Sequence, residues 1–229
     1  MSEWWTYRPS DLLMFSPRIY WRLFASINEA WWPTQLAVVA LALGWLLRAG
    51  RAHRIAAAAL AAAWAFVAWA FHWQRFAAIN WAAEACAFAF ALQAALLAAL
   101  CALELHASAS PWRRRVGVAL LLWALLGHPL LAPAFGRPWT QAEVFGFAPD
   151  PTAIATLGWL LLVQASGRLR AALRIAGWLA ALWLAVSAAT LATMGSWQAV
   201  VPLAALGAAS CVALMSIPDL RRRDPAGLR

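Results

Sequence analysis

The chain is divided into apolar segments, each about as long as a transmembrane helix. Seven of them follow residue 32, separated by short polar breaks: 33–48, 55–74, 79–103, 116–136, 151–167, 172–193 and 197–216. A helix of about 20 residues spans the hydrocarbon core of a bilayer and satisfies its own backbone hydrogen bonds. The pattern therefore predicts an all-α polytopic membrane bundle of about seven transmembrane helices. The fifth segment is short, so a count of six remains open.

Composition supports a membrane protein and excludes other classes. Hydrophobic residues make up 65% of the 229 residues and charged residues 12%, against roughly 45–50% and 25% in ordinary soluble domains. A soluble fold cannot hide so much apolar surface. The three cysteines all lie in apolar segments and form no C-x-x-C pair. Disorder, a soluble enzyme and a disulfide scaffold are therefore excluded.

Residues 1–32 have a different character, because tryptophans alternate there with charged residues. Ser16 followed by Pro17 predicts a helix start, with serine as the N-cap and proline at the first helical position. Charged side chains at Arg18, Arg22 and Glu29 then share one face, opposite an apolar one. This pattern predicts an amphipathic helix over 17–30 that lies in the membrane interface and does not cross it.

The chain thus divides into an N-terminal interfacial segment (1–32), a transmembrane bundle (33–216) and an Arg-rich tail (217–229). All 18 basic residues are arginine; thirteen lie in the loops and tail on one side of the predicted bundle and five on the other. The positive-inside rule therefore places the C-terminus in the cytoplasm and the N-terminus outside. Because these arginines flank apolar runs, they indicate binding to anionic lipid rather than to nucleic acid.

Ionisable groups inside spans are costly, so each is a functional candidate. Glu84 lies about 8 Å and His128 about 12 Å inside the outer ends of the third and fourth spans, by the helical rise. Asn80 lies one helical turn before Glu84. Together they predict an outward-facing polar pocket, in which Glu84 and His128 form a hydrogen-bonded pair, a proton site or part of a metal site. The alternative is that Asn80 or Arg75 caps Glu84 in a purely structural role.

Further candidates surround this pocket. His72 and Arg75 lie at the outer end of the second span, where a solvated interface cluster is the alternative. Glu143 belongs to the aromatic loop 137–150, which we expect to fold over the mouth of the bundle as a lid or as an interface anchor. At the end of that loop, Asp150 and Pro151 predict an N-cap and the first helical residue of the fifth segment.

No cofactor is predicted, and neither is a complete metal site or a catalytic signature. Nucleotide-binding, zinc-protease and nucleophile-elbow motifs are absent from the sequence. A bis-histidine haem would require two histidines at one depth. His72 and His128 differ in depth by about 8 Å.

Three stretches carry a resemblance to a known family. They are Trp4-Trp5-Thr6-Tyr7 with Phe15-Ser16-Pro17, the run from Phe71 to Ala83, and the run from Phe145 to Thr152 with Leu157-Gly158. In combination they resemble a bacterial integral-membrane family known only as a domain of unknown function. The resemblance implies a bacterial inner-membrane location and brings no activity. Family members often carry Cys between the two prolines, where this chain has Asp150.

Three classes of function remain open. The first is binding or transport of a small solute or ion in the outward-facing pocket formed by Asn80, Glu84 and His128. The second is a non-catalytic subunit or scaffold that contacts another membrane protein through its Trp- and Ala-rich surfaces. The third is an intramembrane metal-dependent hydrolase, which would need more ligands at one level. A convergent polar cavity in the structure would favour solute or ion binding, and a cluster of three ligands would favour the metal-dependent hydrolase. A large contact face at lipid depth without a cavity would favour the scaffold.

The predicted orientation can be checked with reporter fusions. Fusions after residue 110 and at residue 229 should both report the cytoplasm, since each point adjoins an arginine cluster. An outside signal from either fusion would contradict the orientation.

Overall fold

The computed structural model describes residues 13–48 and 53–215. The predictions for the Trp4-Trp5 opening and for the Arg-rich tail lie outside the described residues. The helices are α1 (Pro17–Leu47), α2 (His53–Phe66), α3 (Ala83–Cys101), α4 (Pro111–Leu122), α5 (Leu131–Ala134), α6 (Pro149–Leu162), α7 (Gly167–Thr193) and α8 (Val200–Met215).

Short irregular turns connect or extend these helices. The π-helical turn Val67–Trp73 and the 3-10 turn Phe76–Ala78 follow α2, and the π-helical turn Trp123–Gly127 and the 3-10 turn His128–Leu130 join α4 to α5. Further 3-10 turns, Trp139–Gln141 and Trp197–Ala199, precede α6 and α8. The two-residue strands β1 (His106–Ala107) and β2 (Val163–Gln164) pair antiparallel. The prediction of an all-α bundle is confirmed.

Five helical stretches in the described residues are long and apolar enough to cross a membrane. They are Pro17–Leu47, His53–Ala78, Ala83–Cys101, Pro111–Ala134 and Gly167–Thr193. The stretch Trp197–Ala213 is shorter. Helix α6 has 14 residues, which gives it a length of about 21 Å, less than the core thickness of about 30 Å. The described helices are therefore consistent with a helical membrane protein, while the count of seven spans stays a prediction.

Helix α1 joins two regions that the sequence analysis separated. Its start is as predicted, because the Ser16 side chain accepts a hydrogen bond from the backbone N–H of Ile19 and Pro17 is the first helical residue. The helix then continues unbroken for 31 residues, with Pro33 inside it. The expected boundary at residue 32 therefore lies within one helix. The interfacial location of residues 17–30 stays a prediction.

Helix α6, the least certain of the predicted spans, is the centre of the fold. It packs against α2, α4, α7 and α8, and all of its residues except Leu160 are buried. The outward faces of other helices are apolar: Leu41, Phe88 and Trp178 are 74%, 66% and 75% exposed. Such faces suit contact with lipid. The long helices thus enclose a short one that carries almost no exposed surface.

Helices α4 and α6 approach each other closely at two glycines. A Cβ atom added at Gly158 would lie 2.8 Å from the carbonyl oxygen of Gly117, and one added at Gly117 would lie 2.7 Å from that of Gly158. Small residues allow this close contact between helix backbones in membrane proteins. The crossing fixes α6 against α4 and therefore fixes the residues at both ends of α6.

The loop after α5 is packed into one end of the bundle. Asn28 of α1 donates hydrogen bonds to the carbonyls of Thr140 and Ala142 (2.7 and 2.8 Å), and Gln35 donates to the Asn28 side chain. Residues 142–148 are buried, apart from the partly buried Val144. The loop, expected as a lid or an anchor, is thus tied to α1. We call this end, made by residues 135–150, the loop end, and the opposite end, with β1 and β2, the strand end.

Substitution of Gly158 tests the helix crossing. Gly158→Ala should lower the free energy of unfolding by about 1–3 kcal/mol, since the new methyl group overlaps the α4 backbone. Gly207→Ala in α8 is the control, because an added Cβ there meets nothing within 4 Å. Melting temperatures in detergent would measure both variants. Equal melting temperatures for the two variants would contradict the close crossing.

Candidate metal centre

Three buried side chains converge at the loop end. His128 comes from the turn between α4 and α5, Glu143 from the loop, and Asp150 from the first turn of α6; they are 1%, 3% and 1% exposed. One potential ligand atom from each residue lies within 4.8 Å of the others. We call His128, Glu143 and Asp150 the acidic trio.

The position of His128 depends on an irregular stretch of helix. The π-helical turn Trp123–Gly127 precedes it, and Pro129 follows it within a 3-10 turn. Proline cannot donate a backbone hydrogen bond and disturbs the preceding turn of a helix, and π-helical turns are frequent at functional sites. A proline within a span indicates a kink in the helix, but it does not locate the π-helical turn.

Both carboxylate oxygens of Glu143 have polar partners. Its Oε2 lies 3.5 Å from Nε2 of His128, while its Oε1 accepts a hydrogen bond from the Gln198 amide and lies 3.7 Å from Nη2 of Arg137. Burial on its own raises the pKa of the Glu143 carboxyl, but His128, Arg137 and Gln198 together outweigh burial and hold that pKa below its usual value. Glu143 is therefore held in its ionised form.

Arg137 is fixed by several contacts at once. Its guanidinium donates to the Gln198 side chain (2.6 Å) and to the Gln141 carbonyl (3.1 Å). The guanidinium carbon also lies 3.5 Å from the centre of a Trp21 ring, an arrangement that favours a cation. Arg137 thus pairs with Glu143 as part of a rigid network.

Asp150 is held by neutral donors from α7. The Trp183 indole N–H donates to Oδ1 at 2.8 Å, and the Ser187 hydroxyl donates to Oδ2 at 2.6 Å. Because the two donors are four residues apart, they share one face of α7. The predicted N-cap role of Asp150 is wrong, since α6 begins at Pro149 and Ala148 is its N-cap. The carboxylate instead joins α6 to α7.

The fixed charges of this site do not balance. Glu143 and Asp150 are buried together, and Arg137 is the one arginine that forms an ion pair with either of them among the described residues. A buried charge without a partner is costly, so it is neutralised by a proton or by a bound cation. The acidic trio therefore requires one further positive charge.

The donor set suits a transition-metal ion. Two ligands of a tetrahedral zinc ion lie about 3.3 Å apart, given zinc–ligand distances of about 2.0–2.1 Å. His128 Nε2 and Glu143 Oε2 are separated by 3.5 Å. Imidazole nitrogen and carboxylate oxygen are both ordinary zinc ligands.

Two of the predicted pocket residues lie elsewhere. Glu84 is exposed in the first turn of α3, so the expected pair with His128 is replaced by the pair of His128 with Glu143. Asn80 is partly buried, and its side-chain oxygen accepts a hydrogen bond from the backbone N–H of Ala82 (3.0 Å). Asn80 thus supports the start of α3.

The two candidates from the second span also have separate environments. Arg75 donates to the Ser26 hydroxyl (2.9 Å) and to the Ala70 carbonyl (2.7 Å). His72 is fully buried, and its ring packs against Phe90 and Trp183. It therefore contacts the tryptophan that holds Asp150 but does not belong to the acidic trio.

Sequence reasoning identified two of the three members of the trio, His128 and Glu143. It missed Asp150, because an aspartate before proline has a sufficient explanation as a helix cap. It also missed Gln198, since a lone glutamine at the start of a span carries no distinctive signal. The informative signal in the sequence was a loop rich in aromatic residues, as is typical of buried segments, that contains both an arginine and a glutamate.

Comparison with known proteins assigns a family. Residues 17–215 match the model of a family of unknown function, DUF6064, so the chain belongs to that family and the resemblance seen in the sequence is confirmed. No curated protein and no solved structure matches the chain significantly.

Replacement of Glu143 tests the charge network. Glu143→Gln in chelator-containing buffer should lower the free energy of unfolding at pH 7 by about 1–3 kcal/mol, since charged hydrogen bonds are lost. Because the pKa of Glu143 is lower in the folded protein, its contribution is full above the unfolded-state value of about 4.3 and disappears as pH falls through the folded-state value.

The melting temperature of the native chain should therefore fall more steeply on acidification below about pH 4.3 than that of the Glu143→Gln variant. Glu84→Gln, which changes an exposed glutamate, should retain the native profile. Parallel pH profiles for the native chain and the Glu143→Gln variant would refute the role of Glu143.

Proposed function

We propose that this member of DUF6064 binds a divalent transition-metal cation, with Zn²⁺ as the best match, at the loop end of its membrane bundle. The single observation that carries the proposal is the burial of two carboxylates and one histidine whose potential ligand atoms lie within 4.8 Å of one another, with Arg137 the one arginine paired to a carboxylate among the described residues. A divalent cation would more than offset the one uncompensated negative charge and would use all three side chains as ligands.

The ligand types favour a transition metal over other cations. Calcium takes six to eight oxygen ligands, and magnesium keeps several waters in an octahedral shell. A histidine nitrogen with two carboxylates suits zinc and similar metals. The alternative occupant is a proton, which would neutralise Asp150.

The groups around the acidic trio support this proposal. Trp183 and Ser187 orient the Asp150 carboxylate, and Gln198 orients that of Glu143. Ligands of metal sites are commonly oriented by such hydrogen bonds, and loss of one typically weakens metal binding by about 10–100-fold. The carboxylates would thus be held in place before the ion arrives.

The burial of the site favours binding of a small ion over chemistry on a larger substrate. All three ligands are at most 3% exposed beneath the packed loop. With the orientation predicted from the arginines, the loop end faces the outside of a bacterial inner membrane. The site would then take its cation from the outer side, which fits a role in cation binding or transport.

Zinc titration of the purified protein tests the proposal. After removal of metal with a chelator, isothermal calorimetry in detergent should show about one zinc ion bound per chain. Asp150→Asn and His128→Gln should each weaken binding at least about tenfold, since each removes one ligand. Glu84→Gln is the matched control and should bind as the native chain does.

The outcome separates the two occupants. No zinc binding by the native chain, or equal binding by the ligand variants and the control, would overturn the metal proposal. If zinc does not bind and Asp150→Asn leaves the melting temperature of the metal-free protein at pH 7 unchanged, the result would favour the proton, because a protonated carboxyl has no charge for the amide to remove.

A further inference from the structure

A groove lies at the strand end, opposite the acidic trio. It has a volume of about 710 Å³ and is bordered by residues 108–111 and one side of α4. Arg114 and Arg115 line it near the start of the helix, and Val118, Ala119 and Leu122 line it farther along. The groove therefore has a cationic end and an apolar end.

The three consecutive arginines at the start of α4 have different roles. Arg113 is partly buried and donates hydrogen bonds to the carbonyls of Leu160, Leu161 and Val163, at the end of α6. Arg114 and Arg115 are exposed, and neither side chain forms a hydrogen bond or ion pair within residues 13–48 and 53–215. Arg113 therefore stabilises the contact of α4 with α6, while the charges of Arg114 and Arg115 lie at the groove.

The change from charge to apolar surface follows the direction of a membrane span. Arg114 and Leu122 are eight residues apart, which corresponds to about 12 Å along the helix. They belong to the stretch Pro111–Ala134, which is long and apolar enough to cross a bilayer. If Arg114 lies among the lipid headgroups, Leu122 lies at the depth of the acyl chains.

We propose that this groove binds a phospholipid with an anionic headgroup. The headgroup phosphate would lie between Arg114 and Arg115, since guanidinium groups pair well with phosphate. An acyl chain would follow Val118, Ala119 and Leu122. The volume is within the range of about 300–1,000 Å³ that is usual for small-molecule sites. The site is independent of the acidic trio.

Native mass spectrometry of the full-length protein tests the proposal, with phosphatidylglycerol as the anionic probe and phosphatidylcholine as the zwitterionic one. The native chain should retain phosphatidylglycerol in preference to phosphatidylcholine. The double variant Arg114→Gln with Arg115→Gln should reduce that preference at least about tenfold, since two cationic contacts are lost. Arg168→Gln with Arg174→Gln removes equal charge from exposed positions outside the groove and should leave the preference unchanged.

A second variant tests the apolar half. Ala119→Trp fills the groove without a change of charge and should also displace phosphatidylglycerol. An equal loss of the preference for phosphatidylglycerol in both double arginine variants would overturn the proposal, and so would full retention of phosphatidylglycerol by Ala119→Trp. Either result would indicate that general surface charge binds the lipid. Displacement of the bound lipid by millimolar inorganic phosphate would likewise overturn the proposal, because the site would then recognise phosphate alone.

Discussion

Two buried carboxylates, those of Glu143 and Asp150, lie beside Arg137 and determine how the loop end is arranged. Arg137 forms an ion pair with Glu143, and Gln198 donates a hydrogen bond to it. Asp150 accepts hydrogen bonds from two neutral donors of α7. Inside a bundle with apolar outer faces, a buried carboxylate without a cationic partner is costly. The proposed divalent cation would more than offset this negative charge and would bind ligands that are already in place.

The short helix α6 gives this site its position. Its central location depends on the contact of Gly158 with Gly117, which lets two helix backbones meet. One end of α6 then presents Asp150 to α7, and the other end presents free carbonyls to Arg113. The interior helix thus links the acidic trio to the groove at the strand end, for which different ligands are proposed.

Hydropathy predicts this class of fold well, because apolar length and charged breaks are encoded locally. The start of α1 at Ser16 and Pro17 is local in the same sense. The partners of His128 are not encoded locally. The rise along a helix gives the depth of a residue in the membrane, but it does not give the direction in which the side chain points around the helix axis. Glu84 shares the predicted depth of His128, yet it points outward from α3. Asp150 meets Trp183 and Ser187 only through the packing of α6 against α7.

X-ray absorption spectroscopy at the zinc edge tests the central claim most directly. Zinc-loaded native protein should show a first shell of nitrogen and oxygen at about 2.0–2.2 Å, with the scattering signature of a single imidazole. Asp150→Asn should lose or alter that shell, whereas Glu84→Gln should retain it. A spectrum of fully hydrated zinc in the native protein, or the same spectrum in all three proteins, would contradict a metal ion held by His128, Glu143 and Asp150.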